Sequence, residues 1–222
     1  MNIFHFMNVF FSDGAHWHGY AGVPHRLEEH LGYTFEALAI AAVIALPIGL
    51  ITGHTGRGGN ALALVATAGR ALPSYGLLVL MFFWLGIGLV PVMIPLVALA
   101  VPPILVTSYE AIRTVDPAPV DAARGMGMGP AAVLFQVELP AALPLIISGF
   151  RSAAIQVVST AAIAATVSLG GLGRYIVDGL YQRNYATVVG GATLIALLAL
   201  AMVGLIWLVE RAVVSPGVRR SN

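Results

Sequence analysis

The chain has no cysteine and no lysine. The first absence excludes disulfide staples and thiol chemistry. The second leaves all 11 basic residues as arginine, opposed by 10 acidic ones. Charged residues are 9% of the 222, against roughly 25% in a soluble domain. A net charge of +1 gives no basic field for nucleic acid. Without lysine there is no G-x-x-x-x-G-K-[ST] loop, so the chain carries no such phosphate cradle for ATP. Met1 to Phe11 has no basic start and no small-residue cleavage site after it, so a signal peptide is not expected there. What is present is apolar: 59% hydrophobic residues, with a mean hydropathy of +0.89. The expectation is an all-α, polytopic transmembrane bundle of about five spans.

A span needs roughly 20 apolar residues. Runs of that kind fall at about 34–53, 61–83, 91–109, 142–168 and 186–209. Together they predict a transmembrane domain over 34–210, preceded by an external or interfacial segment 1–33 and followed by a tail 211–222. Residues 2–11 are too short to span and predict a helix lying at the interface or against a partner. Residues 12–30 read as a loop with headgroup-zone Trp17, Tyr20 and Pro24. His16-x-His18 lacks a third ligand at metal spacing and reads as interfacial. Pro91, Pro95, Pro102 and Pro103 free backbone carbonyls in the third span. Those carbonyls must pack on protein or face a wet cavity.

The stretch 116–140 is the longest polar connection between spans. Asp116 is a good N-cap and Pro117 a good first helical residue. Gly125, Gly127 and Gly129 are expected to break the first helix. Pro130 then opens a second helix and Pro140 closes it. With this loop inside, Arg57, Arg113, Arg124, Arg211, Arg219 and Arg220 are inner. Arg26, Arg174 and Arg183 are outer, and Arg70 and Arg151 lie within spans. The positive-inside rule then places the N-terminus outside.

The loop contains Asp121-Ala122-Ala123, then Gly127, then Val137-x-Leu139-Pro140. This spacing resembles the E-A-A…G…I-x-L-P coupling loop of ABC importer permeases, with Asp121 for the Glu and Val137 for the Ile. Further stretches narrow the likeness. They are Arg70-Ala71-Leu72-Pro73-Ser74, Leu85-Gly86-Ile87-Gly88, Gly125-Met126-Gly127-Met128, Glu138-Leu139-Pro140 and Gly170-Gly171-Leu172-Gly173. Over about 31–208 the chain resembles the quaternary-amine, or osmoprotectant, branch, which handles glycine betaine, carnitine, choline and proline betaine.

The resemblance implies a non-catalytic subunit of a bacterial inner membrane. It implies a second permease (a copy or a sister chain), two cytoplasmic ATPase subunits that bind ATP and Mg, and an extracytoplasmic binding protein. It implies no cofactor in this chain. The residues expected to couple to the ATPase are Asp121, Ala122, Ala123, Arg124, Gly125, Gly127, Val137, Leu139 and Pro140. Ala122 and Ala123 would seat closely in a groove, and Arg124 would pair with the ATPase or fix topology. Candidate path or gate residues are Arg70, Pro73, Ser74, Tyr75, Tyr109, Ser159 and Thr160. Arg70 either lines the path or bonds to proline-freed carbonyls. Arg151 is expected to snorkel. Tyr75, Trp84 and Tyr109 offer aromatic faces to a quaternary ammonium, or pack. The segment 170–185 is a plain outer loop or a contact for the binding protein. Two other readings are an importer of methionine or another small solute, and a secondary transporter or membrane enzyme. The spans carry almost no acids and no internal repeat, which speaks against the last pair.

Overall fold

The computed structural model describes residues 2–71, 73–167 and 169–215. The side chain of Arg70, which was read as a path residue, lies outside the described residues, as do Arg219 and Arg220 of the tail. Among the described residues there are ten α-helices and no strand.

Helix α1 (Ile3–Ser12) is capped by Asn2, whose side chain accepts the Phe4 N–H. It lies along α10 (Tyr185–Val213) of the same chain, and Phe10 is fully buried there. Gly190 leaves the space for that ring, because any Cβ at 190 would run into it. His16 stacks on Phe10 with ring centroids 4.1 Å apart, and Tyr175 meets Phe10 edge-on at 5.3 Å. His16 is therefore a packing residue.

Helix α2 (Val23–Thr55) has 33 residues and starts well before the expected span 34–53. Residues 23–30, read as loop, are its first turns. Pro24 in the first turn needs no N–H partner and favours helix there. Ala37, Ala41, Ala45, Gly49 and Gly53 recur every four residues and are all buried. This small-residue stripe brings α2 against α5 (Val90–Arg113). A Cβ on Gly49 would sit 2.7 Å from Ser108 Cβ, so the close approach depends on glycine. Helix α5 is central: Leu96, Ala100 and Ile104 have no exposed surface, and α2, α3, α4 and α8 all touch it.

The expected second span, 61–83, is divided into α3 (Gly59–Ala71) and α4 (Ser74–Leu85), whose axes differ by 85°. Pro73 caps α4. Proline lacks an N–H and disfavours helix in the residue before it, so α3 does not run on. After α5 comes a short hairpin of α6 (Pro117–Gly125) and α7 (Pro130–Val133). Pro140 does not close the second helix. A π-helical turn, Leu134–Glu138, joins α7 to α8 (Leu139–Ala164), and 130–167 runs as one span-length element of 38 residues. The wide turn bonds Leu139 N–H to Leu134 C=O, and Pro140 follows in the first turn of α8, where its missing N–H does least harm. The segment 170–185 is not a plain loop, since it contains α9 (Gly173–Tyr181), which packs on α10.

Four of these helical elements are long and apolar enough to cross a membrane, and the α3–α4 pair makes a fifth if counted as one span.

Candidate coupling hairpin and polar path

Asp116 accepts the Ala118 N–H at 3.0 Å and Pro117 opens α6, as the sequence predicts. The helix stop is made at one glycine. Gly127 has φ +86°, a conformation costly for other residues. Its N–H donates to Arg124 C=O at 3.0 Å, and Met128 N–H donates back to Ala123 C=O at 3.1 Å. These two bonds form a Schellman stop, and Met128 covers it by packing on Val120, Ala123 and Val133. Gly125 is the last helical residue and Gly129 is the cap of α7, so neither breaks the helix through positive φ.

That small core decides which side chains face outward. Ala123 is buried between α6 and α7 and cannot seat in a partner's groove. Asp121, Ala122, Arg124, Gly125 and Gly127 are exposed, and so are Met126 at the tip and Phe135 on the π turn. Val137 and Leu139 are half-buried and Pro140 is exposed.

Glu138, quoted in the sequence only as part of a motif, has a role that the sequence reading did not assign. Its carboxylate is 6% exposed. It lies 2.6 Å from His54 Nδ1, in the last turn of α2. Its other oxygen lies 3.9 Å from the Arg124 guanidinium on α6. One acid thus ties the hairpin to α2, to which it is not adjacent in the chain. The π turn presents this side chain inward, and no local pattern in 54 or 138 shows the pairing.

A second feature runs through the bundle. Ser148, Ser152, Gln156 and Ser159 share one face of α8 and are half-buried or exposed. Beside them α3, α5 and α8 enclose a cavity of about 360 Å³. Thr107, Glu110, Ser152 and Gln156 line it, with Pro102 and Pro103. Leu99, whose carbonyl Pro103 leaves without its helical donor, lines this polar space, so that part of the third span meets a wet environment. An adjoining cavity of about 290 Å³ shares Glu110 and adds Tyr109 and Thr67. By contrast the groove between α2, α8 and α10, about 660 Å³, is lined by apolar side chains such as Phe35, Leu46, Leu143 and Ile206. The bundle thus has a polar side and a lipid-like side.

Binding-protein-dependent transport system inner membrane components match this chain over residues 45–220. The chain belongs to that family. It is a multi-pass inner-membrane transport component that works with a substrate-binding protein and a separate ATPase. The permease is 31% identical over 198 residues to the choline transport system permease protein OpuBB of Bacillus subtilis (strain 168), covering 88% of this chain and 90% of that one. It is 31% identical over 177 residues to the osmoprotectant import permease protein OsmY of Salmonella typhimurium, covering 79% and 75%. Among solved structures, a chain of the inward-facing MetNI methionine ABC transporter matches with a TM-score of 0.75 and 25% identity, over 87% of this chain and 96% of that one.

Of the path residues expected in the permease, Tyr109 reaches a cavity and Ser159 lies on the polar face. The Ser159 hydroxyl is bonded to Ile155 C=O of its own helix at 2.9 Å. Thr160 is buried on the other side of α8. Pro73 and Ser74 form the start of α4, while Tyr75 and Trp84 are 54% and 74% exposed. Tyr75, Trp84 and Tyr109 are not gathered into an aromatic cage: no two of them pair among the described residues. Arg151 does not snorkel. It is ion-paired with Glu210 across α8 and α10.

At the end of the permease opposite the hairpin, Gly170-Gly171 has a structural task. Gly171 N–H donates to Glu29 at 2.8 Å, and Arg26 holds the same carboxylate at 2.9 Å. A Cβ on Gly170 would collide with that carboxylate. The Tyr175 hydroxyl donates to Ala21 C=O at 2.6 Å, and burial pushes its phenol above the ordinary tyrosine value, so it remains a donor. The G-G-L-G stretch thereby fastens α9 to the start of α2.

Proposed function

We propose that this permease is the membrane subunit of an ATP-driven importer of osmoprotectants bearing a quaternary ammonium group: glycine betaine, carnitine, choline or proline betaine. The observation that carries the transport mechanism is the hairpin. It is a stiff pair of helices with its own small core, continuous with α5 and α8 and pinned to α2 by Glu138. A body so connected moves three spans when it is pushed. The exposed Ala122, Met126 and Phe135 form the face for an ATPase groove, with Asp121 and Arg124 as its charged rim. The cargo class is supported by the relatives named above, one for choline and one for osmoprotectants.

In this reading the hairpin end is cytoplasmic and the N-terminus outside. Arg57, Arg113, Arg124 and Arg211 fall on the hairpin end, and Arg26, Arg174 and Arg183 on the other, which agrees with the positive-inside rule. The transmembrane unit runs from α2 to α10, between Val23 and Val213, and the tail follows on the cytoplasmic side. Two permeases, a copy or a sister chain, face each other through their polar sides. Two ATPase subunits, which bind ATP and Mg, dock on the hairpins, and an extracytoplasmic binding protein delivers the cargo. The likeness to the methionine transporter chain supports a second reading, in which the cargo is an amino acid.

Uptake of radiolabelled glycine betaine, choline and methionine separates the two. It is measured in cells lacking their own importers, with the permease and its partner subunits expressed. ATP-dependent uptake of a quaternary amine, lost in Gly127→Asp, is the expected result. Uptake of methionine alone would replace the cargo assignment, and full activity of Gly127→Asp would refute the coupling role of the hairpin.

A further inference from the structure

Among the described residues Glu110 is the one carboxylate that lines the cavities between α3, α5 and α8, and it lines both of them. It stands one turn before the end of α5 and is exposed. Among the described residues no side chain forms an ion pair with it. The neighbouring hydroxyls are already engaged. Thr107 donates to Pro103 C=O at 2.7 Å and Ser152 to Ser148 C=O at 3.1 Å. Pro102 and Pro103 cannot donate to the carbonyls of Ala98 and Leu99, and Leu99 lines the larger cavity. Gly69 lets α3 close over this point, since a Cβ there would lie 2.5 Å from Pro102 Cγ. Among the described residues the cavity thus presents the Glu110 carboxylate and hydroxyls whose protons are spent, beside the turn whose carbonyls Pro102 and Pro103 leave without a helical donor. Among the described residues acceptors dominate it, with the Gln156 amide as the side-chain donor.

A surface rich in acceptors and poor in donors suits a cation that needs no hydrogen bond. A trimethylammonium group is such a cation. It is held by charge, by carbonyl dipoles and by aromatic faces, and Tyr109 borders the adjoining cavity next to Glu110. We propose that this cavity is a binding station for the quaternary ammonium head of the cargo, with Glu110 as its counter-charge, on the route toward the hairpin end. The inference rests on the cargo class given above. The carboxylate is open to solvent, so its attraction is moderate and release stays fast.

The test uses the complete transporter with its binding protein in proteoliposomes. Uptake of labelled choline and of glycine betaine is divided by ATP hydrolysed in the same vesicles, so that the amount of assembled complex cancels. In Glu110→Gln, choline uptake per ATP is expected to fall about tenfold, the effect of losing one partly screened charge pair. Zwitterionic glycine betaine should fall less, and Glu110→Asp should recover both. Where the wild type moves glycine betaine only, its fall in Glu110→Gln and return in Glu110→Asp support the station. Unchanged uptake per ATP in Glu110→Gln overturns it while leaving the cargo class intact. A wild type that moves none of choline, glycine betaine, carnitine and proline betaine overturns the cargo class, and the station with it.

Discussion

Replacing Glu138 by alanine should loosen the hairpin from α2 without unfolding the bundle. The carboxylate is 6% exposed and 2.6 Å from His54. A hydrogen bond to a charged group is worth roughly 1.5–3 kcal/mol. Arg124 is 3.9 Å away and 55% exposed, so solvent screens it and it adds less than about 1 kcal/mol. The total is about 2 kcal/mol, or about a thirtyfold rise in the undocked population. Amide exchange read by mass spectrometry over 117–133 reports that population in the assembled transporter. The Ala variant should exchange about thirtyfold faster there, with α5 and α8 unchanged, and should move less cargo per ATP. Glu138→Gln keeps an acceptor for His54 and should lie between. If exchange over 117–133 does not change in the Ala variant, Glu138 does not hold the hairpin to α2, and the role given to it is wrong.

Gly127→Ala forces a side chain into φ +86° and should cost roughly 1–2 kcal/mol, lowering uptake while the spans still assemble, as checked by membrane level and transport together. Phe10→Ala empties a fully buried ring site and should cost about 3 kcal/mol, releasing α1 to protease while uptake persists. Gly170→Val collides with Glu29 and should break its bond to Gly171, which exchange over 170–180 detects. Arg151 and Glu210 are each partly exposed, and a double-mutant cycle on thermal stability should give a coupling near 1 kcal/mol.

The sequence by itself determined the class, because composition and run length are local quantities. Nine per cent charge and five apolar runs leave little but a helical membrane bundle. The capped start of α6, the stop at Gly127 and the need for a wet face beside Pro102 and Pro103 were also legible, since each follows from one residue's own backbone. The tertiary structure decided what depends on distant partners. Ala123 and Ala122 are neighbours of one type, yet Val133 buries the first and leaves the second free. Pro140 reads as a stop, but a π turn before it carries the helix through. Arg151 reads as a lone charge until Glu210, 59 residues on, is beside it. His54 and Glu138 are 84 residues apart, and Glu29 and Gly171 are 142 apart. Such pairs leave no periodic trace in a single chain, because their attraction acts through the folded space between helices and not along the backbone.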